Sequence, residues 1–399
     1  MIYFLYPRLA KLTGAERHIL KLAEYLARGG QPVTIATHQC VPACRALVTP
    51  NVTLVETGHW KDRTTNHYLK AALEYLASLR LAEYIGPEAS AACFFGGPGL
   101  PGLWYAKAIR RLRIPCLYYA FEPPRFLYRD RAEIPTRLGP LGPLANCLFA
   151  LYRHADRQMI GYADAILTNS DFSKQQIREI YGIEAYVSTC GSDLADSVDP
   201  SELTALKARY RLSESSEVIL AVNHLHPRKR LDLLLRAMSL IVRERPQAVA
   251  LIVGSGPENE RLKALCQELE LEPYVRFPGF VLESELPAHY ALSEVYVHTA
   301  REESLGLVLL EAAGFGVPVV AVNEGGPREI VLDGRTGFLV PATPKALAAQ
   351  LLYLLSHKDI ARQMGCAGMK YTREKFQWQR GARQFMEVLQ TVPRTRNSG

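Results

Sequence analysis

Short runs of β-branched and aromatic residues alternate with amphipathic helical stretches along this chain, and the alternation starts afresh past its middle. IYFLY (2–6) leads through the loop PRLAKLTG to ERHILKLAEYLARGG. There Ile19, Leu22, Ala23 and Leu26 recur at i, i+3, i+4, i+7 spacing before Gly29 and Gly30 stop the helix. VTIAT (33–37) follows, and two strands joined through a helix are expected to lie parallel. The pattern continues through VTLV (52–55), a helix around 67–85, ACFF (92–95), a helix around 103–112, CLYYA (116–120), ADAILTNS (163–170), a helix from Ser173 to Tyr181, and AYVST (185–189).

Residues 191–217 turn polar and acidic, as a linker does. Strand-like VILAVN (218–223), AVALIVGSG (248–256), VRFPGF, VYVHT (295–299), PVVAV (318–322) and GFLVP (337–341) then come with helical stretches between them. The fold class is therefore α/β, with two Rossmann-like doubly wound parallel-sheet domains over 1–195 and 214–372. A helical tail over 373–395 is expected to pack back on the first domain. In it FQWQRGARQFMEVLQ sets Phe376, Ala382, Phe385, Met386 and Leu389 on one apolar stripe. Ligands of such sheets bind beyond the carboxyl ends of the strands, so a cleft between facing domains is expected, with its chemistry in strand-to-helix loops.

A length of 399 residues suits two domains. No run of about 18 uncharged apolar residues occurs, and the opening MIYFLYPRLAK reaches Arg8 too soon for a signal peptide, so a cytoplasmic chain without a membrane span is expected. The eight cysteines are scattered, and Cys40 and Cys44 lack a second pair at zinc-ligand spacing, so they read as buried reduced thiols. Of the net charge of +7, most lies in residues 1–195, with 22 Lys+Arg against 16 Asp+Glu. That excess suits anionic lipid, phosphate groups or nucleic acid, or serves solubility alone. No aromatic-basic platform supports nucleic acid.

Several strand-end loops carry features that favour anions. LTGAER places Gly14 at a helix entry, where backbone amides and the helix dipole attract negative charge; a plain helix start reads the same way. VNHLHPRKRLDLL gathers His224, His226, Arg228, Lys229 and Arg230 before a helix, and cations there oppose the dipole unless an anion lies between them. IVGSGPENERL has Gly254 and Gly256, but Asn259 replaces the third glycine of a dinucleotide fingerprint. In EESLGLVLLE the acids Glu303 and Glu311 frame an apolar helix start, with Ser304, Leu305, Gly306 and Leu307 at its mouth. A buried Glu311 must find polar partners. VNEGGPREIVLDGRTGFLV adds Gly325 and Gly326 at a point of close backbone approach.

The ordered set TGAER, LTNSDFSKQQI, CGSD, PRKRLD, GSGPE, FPGF, EESLGLVLLEAAGFGVPVVA and GGPREIVLDGRTGFLV resembles the retaining glycosyltransferases of family 4, which have the GT-B fold. The resemblance spans nearly the whole chain. It implies a nucleotide-diphosphate sugar as donor and a hydroxyl acceptor, with no metal or other cofactor. It assigns sugar hydroxyls to Glu303, the ribose to Glu311, the diphosphate to Lys229 with the amides of Gly306 and Leu307, and the base to the loop at Val281. Gly14, in an acceptor-binding first domain, is then expected to approach the diphosphate from the opposite wall.

Two departures stand out. His224 occupies a position where relatives carry Arg, so either donor affinity is lowered or Arg228 substitutes beside the diphosphate. Phe121 in YYAFEPPRFLYRD replaces a His of many relatives, and Glu122 either takes part of its role or pairs with Arg125. PPRFLY resembles loops of some mannosyltransferases, which favours GDP-mannose. The segment RLGPLGPLANCLFALYRHADRQM, with Leu141, Leu144, Leu148, Phe149 and Tyr152, suits either an anionic bilayer surface next to a lipid-linked acceptor or a core helix. A non-catalytic nucleotide-sugar binding protein and a sugar-nucleotide epimerase are the alternatives.

Overall fold

The computed structural model describes residues 1–58, 67–129, 142–192 and 197–393. The chain forms two compact units, one built from residues up to Cys190 together with the C-terminal helix Trp378–Thr391, the other from Gly191–Gln377.

The first unit holds a seven-stranded parallel sheet. Its strands are β1 (Ile2–Leu5), β3 (Val33–Thr37), β5 (Val52–Glu56), β6 (Ala91–Phe95), β7 (Cys116–Tyr119), β8 (Ala165–Thr168) and β9 (Tyr186–Val187), in the spatial order β5-β3-β1-β6-β7-β8-β9. The central strands are apolar on both faces because helices cover both sides, which is why they read as continuous hydrophobic runs. A further parallel pair, β2 (Arg8–Leu9) with β4 (Gln39–Cys40), lies where the sequence suggests loop, and two residues per strand are too few to show a period.

The helix expected around 103–112 begins earlier, at Gly96, and GGPGLPGLW is helical in spite of its glycines and prolines. Close packing explains it. A Cβ at Gly102 would lie 2.6 Å from the Ser78 carbonyl oxygen and one at Gly99 3.1 Å from the Phe94 backbone, so glycine lets this helix settle on β6.

The C-terminal helix packs on the helix Gly14–Arg28 and buries Ala382, Phe385 and Val388 in the first unit's core, with Met386 and Leu389 at its margin. Phe376 departs from the expected stripe. It caps the preceding helix Lys358–Lys375 and packs edge-on against Tyr371, while Trp378 takes the inward position. Six cysteines are buried free thiols, but Cys147 and Cys366 are exposed.

The second unit has a six-stranded parallel sheet of β10 (Glu217–Val222), β11 (Ala248–Val253), β12 (Val275–Gly279), β13 (Val295–His298), β14 (Val319–Val322) and β15 (Gly337–Val340), ordered β12-β11-β10-β13-β14-β15. Counted within the unit, the order is 3-2-1-4-5-6, the doubly wound pattern whose direction reverses between its first and fourth strands. Among the described residues no helix is long and apolar enough to cross a membrane.

Candidate functional site

The crevice of a doubly wound sheet opens where the strand order reverses, here between the carboxyl ends of β10 and β13. The loop after β10 is fixed from below by the GSG segment. The Leu225 amide donates to the Ser255 carbonyl (3.0 Å), and a Cβ on Gly254 would lie 1.8 Å from the Asn223 carbonyl oxygen. The two glycines of GSG therefore serve backbone packing against this loop. His224 is bound to the same segment, its Nδ1–H donating to the Ser255 carbonyl at 2.6 Å.

Pro227–Lys229 then makes a short 3₁₀ turn, and Arg230 has φ +46° as the cap of the helix Leu231–Glu244. Three bonds tie this turn to the loop after β13. The Arg301 amide donates to the Arg228 carbonyl (2.9 Å), the Thr299 hydroxyl to the Lys229 carbonyl (2.6 Å), and Arg230 Nε to the Thr299 carbonyl (2.9 Å). The Arg230 guanidinium also pairs bidentately with Glu324 at 3.2 and 3.0 Å. Glu302, at φ +47°, adds a second non-glycine residue in the left-handed region, so two strained residues flank one small volume.

Within that volume Lys229 and Arg228 converge on Glu303. The Lys229 ammonium is ion-paired with Glu303 Oε2, and Arg228 Nη2 lies 3.9 Å from Oε1. Burial pushes the Glu303 carboxyl up, but Lys229, Arg228 and His298 outweigh it and hold the group at about 2. Gly325 and Gly326 shape the other side. The Gly326 amide donates to the Glu303 carbonyl (2.8 Å), and Gly325 forms a parallel bridge with Glu303.

The helix Leu307–Gly314 starts directly beyond, after Gly306 at φ +97°. Its opening amides have no partner within the helix, and its dipole favours an anion at that end. Ser304 and Leu305 lead into it, Leu305 being fully buried. One turn in, Glu311 is buried, and the Tyr290 hydroxyl donates to its Oε2 at 2.7 Å, which gives this carboxylate the polar partner its burial requires. Val281 is buried between exposed Phe280 and Leu282 in the loop after β12.

In the first unit, Gly14 is exposed and begins the helix Gly14–Arg28. The mouth of that helix already holds a carboxylate, for Glu16 Oε2 accepts the Thr13 amide at 3.1 Å and Tyr6 donates to Oε1 at 3.3 Å. Phe121 turns toward aromatic rings, with centroids 5.2 Å from Tyr119 and 5.3 Å from His18. Glu122 and Arg125 lie 4.0 Å apart at their nearest charged atoms. Leu141 and the Leu144 side chain fall outside the described residues.

Sequence reasoning passed over His298, Glu324 and Tyr290. The histidine ends β13 with its imidazole 3.9 Å from Glu303 Oε2. The available signal was a polar residue closing an otherwise apolar strand at the fourth position of a doubly wound order.

Two doubly wound units, one with cations and a carboxylate at its switch point, define a protein of the two-Rossmann-domain GT-B class. Residues 12–195 match the model of Glycosyltransferase Family 4, and residues 204–371 that of Glycosyl transferases group 1. The chain belongs to this family of glycosyltransferases. It is 34% identical over 243 residues to the GDP-mannose-dependent alpha-(1-6)-phosphatidylinositol monomannoside mannosyltransferase of Mycolicibacterium smegmatis, covering 58% of this chain and 63% of that protein. The corresponding protein of Mycobacterium tuberculosis is 36% identical over 199 residues, 48% of this chain and 51% of its own. A D-inositol 3-phosphate glycosyltransferase of Kineococcus radiotolerans is 32% identical over 60% of each chain. The matched stretch thus spans between half and two thirds of these relatives. Among solved structures, sucrose-phosphate synthase from Thermosynechococcus elongatus superposes with a TM-score of 0.78 over 98% of both chains at 20% identity. Anabaena HepE in complex with UDP and glucose superposes at 0.75 over 98% of this chain and 99% of its own, at 21% identity. At such identities the likeness speaks for the fold alone.

Proposed function

We propose that this chain transfers a sugar from a nucleoside-diphosphate donor, GDP-mannose first among candidates, to a hydroxyl of a lipid-linked acceptor, with retention at the anomeric carbon and without a metal. The observation that carries the reading is the Lys229–Glu303 ion pair at the switch point, directly before the opening of the helix Leu307–Gly314. In the transfer the bond between the anomeric carbon and the β-phosphate oxygen breaks, a bond to the acceptor oxygen forms, and the hydroxyl proton leaves with the diphosphate. The developing charge on the leaving group calls for fixed positive charge, which Lys229, Arg228 and the helix opening supply. Glu303 holds sugar hydroxyls, Glu311 the ribose, and the loop at Val281 the base. Glu122 and Arg125 act on the acceptor side. The relatives named for GDP-mannose and phosphatidylinositol mannoside support the donor and the lipid-linked acceptor.

Acceptors of that kind place the enzyme at a bilayer surface. Along the helix Gly142–Ile160, Leu148 and Leu151 are 58% and 68% exposed, with His154 and Arg157 exposed farther on, a composition suited to anionic lipid. Salt-sensitive flotation with anionic vesicles is expected, and no flotation at low salt removes this part.

The test of the reaction is incubation of the purified chain with GDP-mannose or UDP-glucose and phosphatidylinositol vesicles, with and without EDTA, followed by nucleotide release and NMR of the product. Release of GDP that survives EDTA, with the donor's anomeric configuration kept, is expected. Turnover of UDP-glucose alone overturns the donor. Loss on chelation with recovery in Mn²⁺ overturns the metal-free account.

A further inference from the structure

His298 is fully buried at the end of β13, and among the described residues neither ring nitrogen has a hydrogen-bond partner. A neutral imidazole carries one donor and one acceptor, and leaving a buried polar group unpaired is costly. The ring nevertheless sits 3.9 Å from the carboxylate oxygen of Glu303 that Lys229 already occupies. The charged groups acting on it are Arg228, Lys229 and Arg230 from the turn after β10 and Glu303 from its own loop, and Arg230 is itself paired with Glu324. On the β14 side its paired residue is Ala321.

One ammonium cannot serve two anions fully. If the diphosphate draws Lys229, as the function proposed above requires, Glu303 loses its closest cation just when it has to hold sugar hydroxyls in a fixed orientation. We infer that His298 is a positioning residue for Glu303: its ring N–H takes over the Glu303 carboxylate when Lys229 turns to the donor diphosphate, keeping that carboxylate ionised and aimed at the sugar. The exchange requires only that the ring and the carboxylate close the distance from 3.9 Å to hydrogen-bond length. It gives the buried, unpaired imidazole its use and deepens the reading of Glu303.

The test compares wild type, His298→Leu and His298→Gln, the last keeping an N–H donor at the site. GDP binding is measured by calorimetry, and kcat, KM and the pH dependence of kcat with GDP-mannose. For His298→Leu the expected result is a fall in kcat of about tenfold or more, equal to about 1.4 kcal/mol. Its GDP affinity should stay within about threefold, and the acid limb of kcat should move to higher pH because the unsupported carboxylate protonates more readily. His298→Gln should recover most of kcat. Wild-type kcat and pH profile in His298→Leu, with GDP still bound, overturn the role of His298 alone, as do equal losses in Leu and Gln variants with an unmoved acid limb. Failure of the wild type to bind GDP overturns the nucleotide reading and this role with it.

Discussion

Lys229, with Arg228 and His298 beside it, keeps Glu303 charged in a place where burial alone would neutralise it. The Glu303 value of about 2 lies below the ordinary 4.5. Its ionised form is therefore favoured by folding, and that contribution is whole above about pH 4.5 and is lost as the pH falls toward 2. Glu303→Gln should accordingly flatten the fall of stability between these values, as measured by urea denaturation at a series of pH values; an unchanged slope contradicts the ion pair. The same substitution should lower turnover by about tenfold or more, because the amide cannot replace the anion. At this scale the sequence was informative where charge and spacing converge, as at Lys229, Arg228, Glu303 and Glu311. It was silent on His298, whose meaning depends on a ring position that no motif spacing encodes, and on the Arg230–Glu324 pair, whose members lie in loops after different strands.

At the scale of the element, the site is a meeting of three loops whose backbones touch, and glycine permits the contacts. A Cβ on Gly326 would lie 2.3 Å from the Ser304 carbonyl oxygen and 2.5 Å from the Leu305 Cα. Gly326→Ala should therefore push away the loop that carries Glu303, lowering stability by about 1–3 kcal/mol and turnover with it. A melting temperature and rate equal to wild type would show that the loops do not press on one another. Gly254→Ala, aimed at the Asn223 carbonyl, is expected to act similarly on the Lys229 loop. The strands were legible because burial on both faces leaves a plain apolar signature between polar loops. The helix Gly96–Trp104 was not, since its glycines answer to contacts with Phe94 and Ser78 rather than to local propensity. The β2–β4 pair was too short to register, and the end of the apolar stripe was misplaced because the chain breaks between the helices Lys358–Lys375 and Trp378–Thr391.

For the molecule as a whole, the last helix is a structural part of the unit in which the chain begins. Phe385 is fully buried there, 5.7 Å from Phe4 between ring centroids. Phe385→Ala should destabilise the first unit by about 3–5 kcal/mol, seen as an earlier transition in chemical denaturation, and a variant as stable as wild type would contradict this packing. The two strand orders were implicit in the β-α-β alternation, but where each order reverses appears only when the strands are placed side by side. That placement makes Lys229 and Glu303 a site.

In the proposed function this switch point binds a nucleoside diphosphate through Lys229. Calorimetric titration of GDP into wild type and Lys229→Ala tests it most directly. Saturable binding by the wild type that weakens at least about tenfold in a folded Lys229→Ala is the predicted result, a loss of about 1.4 kcal/mol. Equal affinity in the two proteins, or no binding by the wild type, would contradict it.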